Sequence, residues 1–170
     1  HPNDDLPAMR QLFLTMLLAE LSPPSDSGGR GELLQVRIDK LLALGALEQA
    51  AALIDAAGAD TPELFRRSFD VALLTGAEER ACDRMQGAPH LAPTVPARIF
   101  CLARSGDWDT AALTLHTSQA LGQISADQAS LLARFLDPDP FEGGPVPPGP
   151  DPVTPLHWTL FEPGGEPLST

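Results

Sequence analysis

The 170-residue sequence contains no tyrosine, and Phe and Trp together supply only 5% of its residues. Platforms that stack nucleotide bases or sugar rings are built from aromatic faces, so there is little here to build one from. Lysine is nearly missing as well. Lys40 is the one lysine among eleven basic residues, which face 23 acids for a net charge of −12. Phosphate backbones and anionic lipid headgroups are gathered by clustered Lys and Arg, so this balance argues against nucleic acid and against docking on an anionic membrane. Long apolar runs are absent too. The most apolar stretch, "QLFLTMLLAEL", falls well short of the ~20 residues a bilayer span requires, so no direct membrane insertion is expected. It also makes a poor secretory leader, because the preceding "HPNDDLP" is acidic where a basic region belongs. The chain starts on His1 instead of Met, which reads as a processed or trimmed polypeptide.

The motifs of common catalysis are missing in turn. There is no glycine-rich phosphate loop, no G-x-S-x-G and no H-E-x-x-H. The four histidines, His1, His90, His116 and His157, are never three or four apart, the spacing that sets two ligands on one helical face. His1 would hold copper only as a genuine mature terminus with a second histidine converging on it. "DPDPFEGG" lacks the ligand periodicity of a calcium loop. No catalytic residue, metal or cofactor is therefore expected. Asp107 and Asp109 flank Trp108, and a carboxylate pair around an aromatic can mark a sugar site. Both acids, however, begin a helix, where the dipole and free N–H groups favour negative charge, and capping is the reading adopted.

What is present is helical periodicity, from Leu6 to Leu136. Leu6, Met9, Phe13, Met16 and Leu17 form one stripe, widened by Leu12, Leu14, Leu18 and Leu21, which implies a helix packed on more than one side. "SPPSDSGGRG" over 22–31 is a loop by composition. Thr61-Pro62-Glu63 supplies a cap, a first-turn proline and an acid to open another helix. The loop "GAPHLAPTVP" precedes a helix over about 97–105, and Ser125 with Gln128 forms a capping box for the last. About eight helices and no strand are expected over 1–136, an all-α domain. From Asp137 the composition changes: the last 34 residues hold ten prolines, five glycines and six acids. Proline argues against a packed helix there, so 137–170 is expected as an extended arm or linker. In it Leu156, Trp158 and Leu160 alternate as in a short strand-like segment, and Leu156, Trp158 and Phe161 are its candidate docking residues.

Three segments superpose on their glycines: "KLLALGALEQAAALI", "DVALLTGAEERACDRM" and "CLARSGDWDTAALTL". After Gly45, Gly76 and Gly106, an alanine follows at five residues (Ala50, Ala81, Ala111) and a large apolar residue at nine (Ile54, Met85, Leu115). A glycine that relieves the turn and small residues that admit a close second helix describe a helical hairpin, so stacked hairpins are the expected architecture. The glycine-plus-five alanine resembles the turn of tetratricopeptide repeats, with "GDWDTA" the nearest match. The spacing is shorter than that family's and its tyrosines are missing, so an irregular version is expected. The residues that do not recur, Trp108 and His116, are candidate interaction residues.

A broader resemblance rests on "RIDKLLALGALEQAAALI", "FDVALLTGAEERAC", "ARIFCLARSGDWDTAALTLHTSQALG", "LLARFLDPDPFEGG" and "PLHWTLFEPGGEPLST". Together these look like a group of uncharacterised exported bacterial proteins, some labelled antifreeze-glycopeptide-like. The sequence contains no run of Thr-Ala-Ala units, and that label is set aside. The resemblance implies export, a location in the periplasm or beyond, and a longer parent protein. Cys82 and Cys101 lie on what should be neighbouring helices, either as a disulfide, the natural outcome of export, or as two small buried side chains. The combined expectation is a non-enzymatic interaction or scaffold module of the bacterial envelope, binding a protein or peptide. The alternative is the helical part of a cell-wall or carbohydrate-active enzyme whose catalytic domain lies beyond residue 170.

Overall fold

A computed structural model describes residues 7–19, 31–145, 147–149 and 153–161. Leu6, Leu21, His1 and all of the expected 22–31 loop except Gly31 lie outside them. Among the described residues the chain is all-helical, with nine α-helices, two single-turn 3-10 segments at Pro89–Leu91 and Asp139–Phe141, and no strand. The helices are α1 (Pro7–Leu18), α2 (Glu32–Ala43), α3 (Leu47–Ala57), α4 (Pro62–Thr75), α5 (Glu78–Gly87), α6 (Val95–Arg104), α7 (Trp108–Ala120), α8 (Ala126–Leu136) and α9 (Pro155–Phe161). Eight of them fall in 7–136, and α2 with α3, α5 with α6, α6 with α7 and α7 with α8 pack as hairpins. The chain divides into two compact units, 1–71 and 72–170.

In the first unit α2 and α3 form a hairpin around Ile38, Leu41, Ala50 and Ile54, with Leu14 and Leu17 of α1 packed onto that core. Two arginines hold α1 by its polar ends. Arg10 donates to the Leu44 carbonyl at 3.1 Å, and Arg37 donates to the carbonyls of Leu17 and Ala19, the latter at 2.7 Å. These bonds satisfy carbonyls that a helix terminus leaves without partners. The breadth of α1's apolar stripe is not matched by burial: Met9, Leu12 and Met16 remain exposed and none of the helix is fully buried. Only one of its faces meets the α2–α3 core. On α2, Asp39 accepts two bonds from Arg67 of α4, at 2.6 and 2.7 Å, and this pairing raises the guanidinium pKa.

In the second unit α6 is central, packed against α5, α7 and α8. Its Ala97, Ile99, Phe100, Cys101 and Ala103 are all buried. The helix begins at Val95, two residues before the sequence position expected, because Thr94 caps it (Ala97 N–H to Thr94 Oγ1, 3.2 Å) and Pro96 is tolerated inside the first turn. At the start of α8 the capping box is complete: Gln128 N–H donates to Ser125 Oγ at 3.2 Å, and Ser125 N–H donates to Gln128 Oε1 at 3.0 Å.

The three recurring glycines adopt left-handed backbone, at φ of 70°, 72° and 86° for Gly45, Gly76 and Gly106. A side chain there would meet the following carbonyl, which is why glycine occupies the joint. The alanines five residues on, Ala50, Ala81 and Ala111, are buried, as are Ile54, Met85 and Leu115.

The expected strand-like segment at 156–160 is instead α9, docked on α8. Proline argued against a helix here, yet Pro155 stands at the first helical position, where a missing N–H costs nothing and the fixed φ suits the helix. The change of period moves residues between faces. Alternation groups Leu156, Trp158 and Leu160; the helix instead buries Leu156, His157, Leu160 and Phe161 and turns Trp158 out, 49% exposed. The segment leading to α9 is tied to α8 by Arg134, which donates to the carbonyls of Phe141, Gly144 and Pro145 at 2.8, 3.1 and 3.0 Å.

Candidate interaction groove

Within the second unit, Met85 and Gln86 of α5, Pro89 of the following turn, one side of α6 and Asp107 ahead of α7 border a common gap. The result is a cavity of about 420 Å³, within the range of small-ligand and peptide sites. Its apolar lining is Met85, Pro89, Leu102 and Cys101. Cys101 is bonded to Cys82 (Sγ–Sγ 2.00 Å, Cα–Cα 5.0 Å), so a disulfide staples α5 to α6 behind the groove. The cysteine pair was open at the sequence level between a bond and two packed thiols; the short Cα separation and the sulfur contact decide for the bond.

The polar lining is sorted along α6. Arg98 stands at one end in the first turn, exposed, and has no side-chain partner among the described residues. A cation there opposes the helix dipole, so nothing in helix stability accounts for its position. By contrast Arg104, in the last turn, pairs with Glu78 and lies over the Phe100 ring. At the other end are Ser105, whose hydroxyl donates to the Leu102 carbonyl at 2.8 Å, and Asp107. Asp107 Oδ1 accepts from Thr110 N–H at 3.3 Å and caps α7; Oδ2 makes no further bond among the described residues. Gln86 borders the middle with an amide that both donates and accepts.

No family model, curated protein or solved structure matches this chain.

The remaining sequence candidates lie outside the groove. Trp108 is 49% exposed with its ring 6.4 Å from Phe135, and His116 on α7 is exposed. No group of three or more His, Cys, Asp or Glu side chains is placed to hold a metal ion among the described residues, and no helix there is long and apolar enough to cross a membrane. Leu156 and Phe161 are buried at the α9 seat, and Trp158 is not among the residues that dock it.

Two residues escaped the sequence reading. Arg98 carried a usable signal, a cation in the first turn of a helix with Leu102 and Ser105 at its i+4 and i+7 positions, the same helical face. His157 carried none, since only the helical period of α9 places it inward. There it is 7% exposed, its Nε2 has no hydrogen-bond partner among the described residues, and its ring lies 4.7 Å from that of Phe161. Gly149 closes over it: a Cβ at that glycine would come within 3.0 Å of Nε2. Burial lowers the imidazole pKa below its usual value.

Proposed function

We propose that this chain is a non-enzymatic interaction module of the bacterial envelope that binds a peptide segment of a partner protein in the groove along α6. The observation that carries the reading is the groove itself: an apolar strip of Met85, Pro89 and Leu102 bordered by Arg98, Gln86, Ser105 and Asp107. Such a strip accepts side chains by burial and fixes a chain by a few polar contacts. The hairpin joints at Gly45, Gly76 and Gly106 favour the repeat-like scaffold that this role needs. The bonded cysteines are compatible with an oxidising compartment, and the resemblance to exported bacterial proteins extends this to the periplasm.

The test is photocrosslinking in cells from a reactive side chain at position 102, with position 113 on the exposed side of α7 as control. The expected result is one recurrent envelope protein from position 102 only, whose purified form binds the wild type and not Leu102→Glu. Identical products from both positions, or none from position 102, would overturn the reading.

A further inference from the structure

The two ends of the groove differ in charge, and that difference specifies a ligand. We propose that the groove selects an extended peptide carrying an acidic side chain about three residues from a basic one, the acid against Arg98 and the base against Asp107. This rests on the groove being the interaction site and adds the chemistry of what enters it.

Among the described residues Arg98 is a cation without a partner, in a chain of net charge −12 where acids outnumber bases by about two to one. Its position in the first turn of α6 is electrostatically unfavourable for the helix, so an anion brought to it removes a cost as well as forming a pair. At the opposite end Asp107 keeps one carboxylate oxygen uncommitted among the described residues. Arg98 and Ser105 are seven residues apart on α6, about 10 Å at the helical rise, and Asp107 lies just past the helix. A chain in the extended polyproline-II conformation covers about 9 Å in three residues and, at three residues per turn, brings the fourth side chain back to the face of the first. A free amino acid is too short to touch both ends.

Between the ends, Met85, Pro89 and Leu102 offer burial to the intervening aliphatic side chains. The arrangement also rejects. A doubly acidic ligand meets Asp107 with like charge, and a doubly basic one meets Arg98, so each mismatch is penalised at one end.

The experiment uses N-acetylated, C-amidated fluorescent tetrapeptides in anisotropy titrations against the intact chain. Glu-Leu-Ala-Lys and Lys-Ala-Leu-Glu cover both chain directions. Gln-Leu-Ala-Gln, Glu-Leu-Ala-Glu and Lys-Leu-Ala-Lys are the comparators. The expected result is that one mixed-charge peptide binds about fivefold or more tighter than each comparator at low salt, a margin that narrows as salt rises. Arg98→Glu is expected to shift preference to Lys-Leu-Ala-Lys. Asp107→Asn, which retains the cap on α7, should narrow the margin of the mixed-charge peptide over Glu-Leu-Ala-Glu. Circular dichroism confirms that both variants keep the helical fold. Equal binding of all five peptides, lost in Leu102→Glu, would overturn the charge selectivity and leave the groove reading standing. An unchanged ranking in Arg98→Glu would overturn it as well. Failure of every peptide, together with no crosslink from position 102, would bring down both.

Discussion

His157 is a weak base whose buried Nε2 has no hydrogen-bond partner among the described residues. That nitrogen lies against Gly149, and burial lowers the imidazole pKa relative to the exposed side chain. The unfolded or undocked chain therefore takes up the proton more readily than the docked one. The contribution to stability is complete above the ordinary value of 6.5 and is lost as pH falls through the depressed value of the docked state. We predict that acid releases α9 from α8. In a Trp108→Phe background the half-exposed Trp158 reports that release by fluorescence, and His157→Leu should flatten the pH response; the same titration curve in both proteins would contradict the assignment. Gly149→Ala belongs to the same contact. Its Cβ would press on the imidazole at 3.0 Å, and a loss of about 1 kcal/mol is expected in denaturant titration, within the ordinary range for a tight substitution.

At the scale of the element, the joint governs. Gly106 at φ 86° and Ala111, fully buried, are two halves of one device: the first turns the chain and the second lets α7 approach closely. Gly106→Ala has open space for its methyl group but a strained backbone, and should cost about 1 kcal/mol. Ala111→Leu has an unstrained backbone but no room, and should cost about 1–3 kcal/mol. Urea midpoints of the two variants test both numbers, and an Ala111→Leu protein as stable as the wild type would disprove the close approach. These joints were readable in the sequence because a left-handed turn admits so few residues that glycine spacing becomes a ruler. The capping box at Ser125 and Gln128 was readable for the same reason, since its geometry needs those side chains at that distance. The ninth helix was not. Over seven residues an alternating and a helical pattern share most of their apolar positions, and Pro155 forbids a helix only if it stands inside one. The groove was legible only in part: Arg98 announced itself by standing at the wrong end of a helix, whereas the gap between α5 and α6 depends on the turn at Pro89–Leu91 and has no sequence signature.

On the scale of the whole molecule, the compartment and the fold meet in one bond. The Cys82–Cys101 bridge spans 19 residues and joins α5 to α6 beneath the groove. A loop of that length stabilises by about 3 kcal/mol through the states it removes from the unfolded chain. Protein isolated from its native compartment under non-reducing conditions should have the mass of the bonded form, gaining two hydrogens on reduction. Reduction should also lower the thermal midpoint. Free thiols in freshly isolated protein would remove the main physical support for export.

The bridge also decides what a single cut can do. The stretch from Asp83 to Phe100 includes Gln86, Gly87, Pro89 and His90, exposed where α5 gives way to the following turn, in the most accessible part of the loop that the bond closes. A protease that severs the backbone there produces two pieces joined through sulfur, with α5 still held against α6. On a gel such a molecule migrates as one band until reductant separates it into two. Damage in this stretch is thus tolerated mechanically, and the groove keeps both of its walls after its connecting strap has been broken.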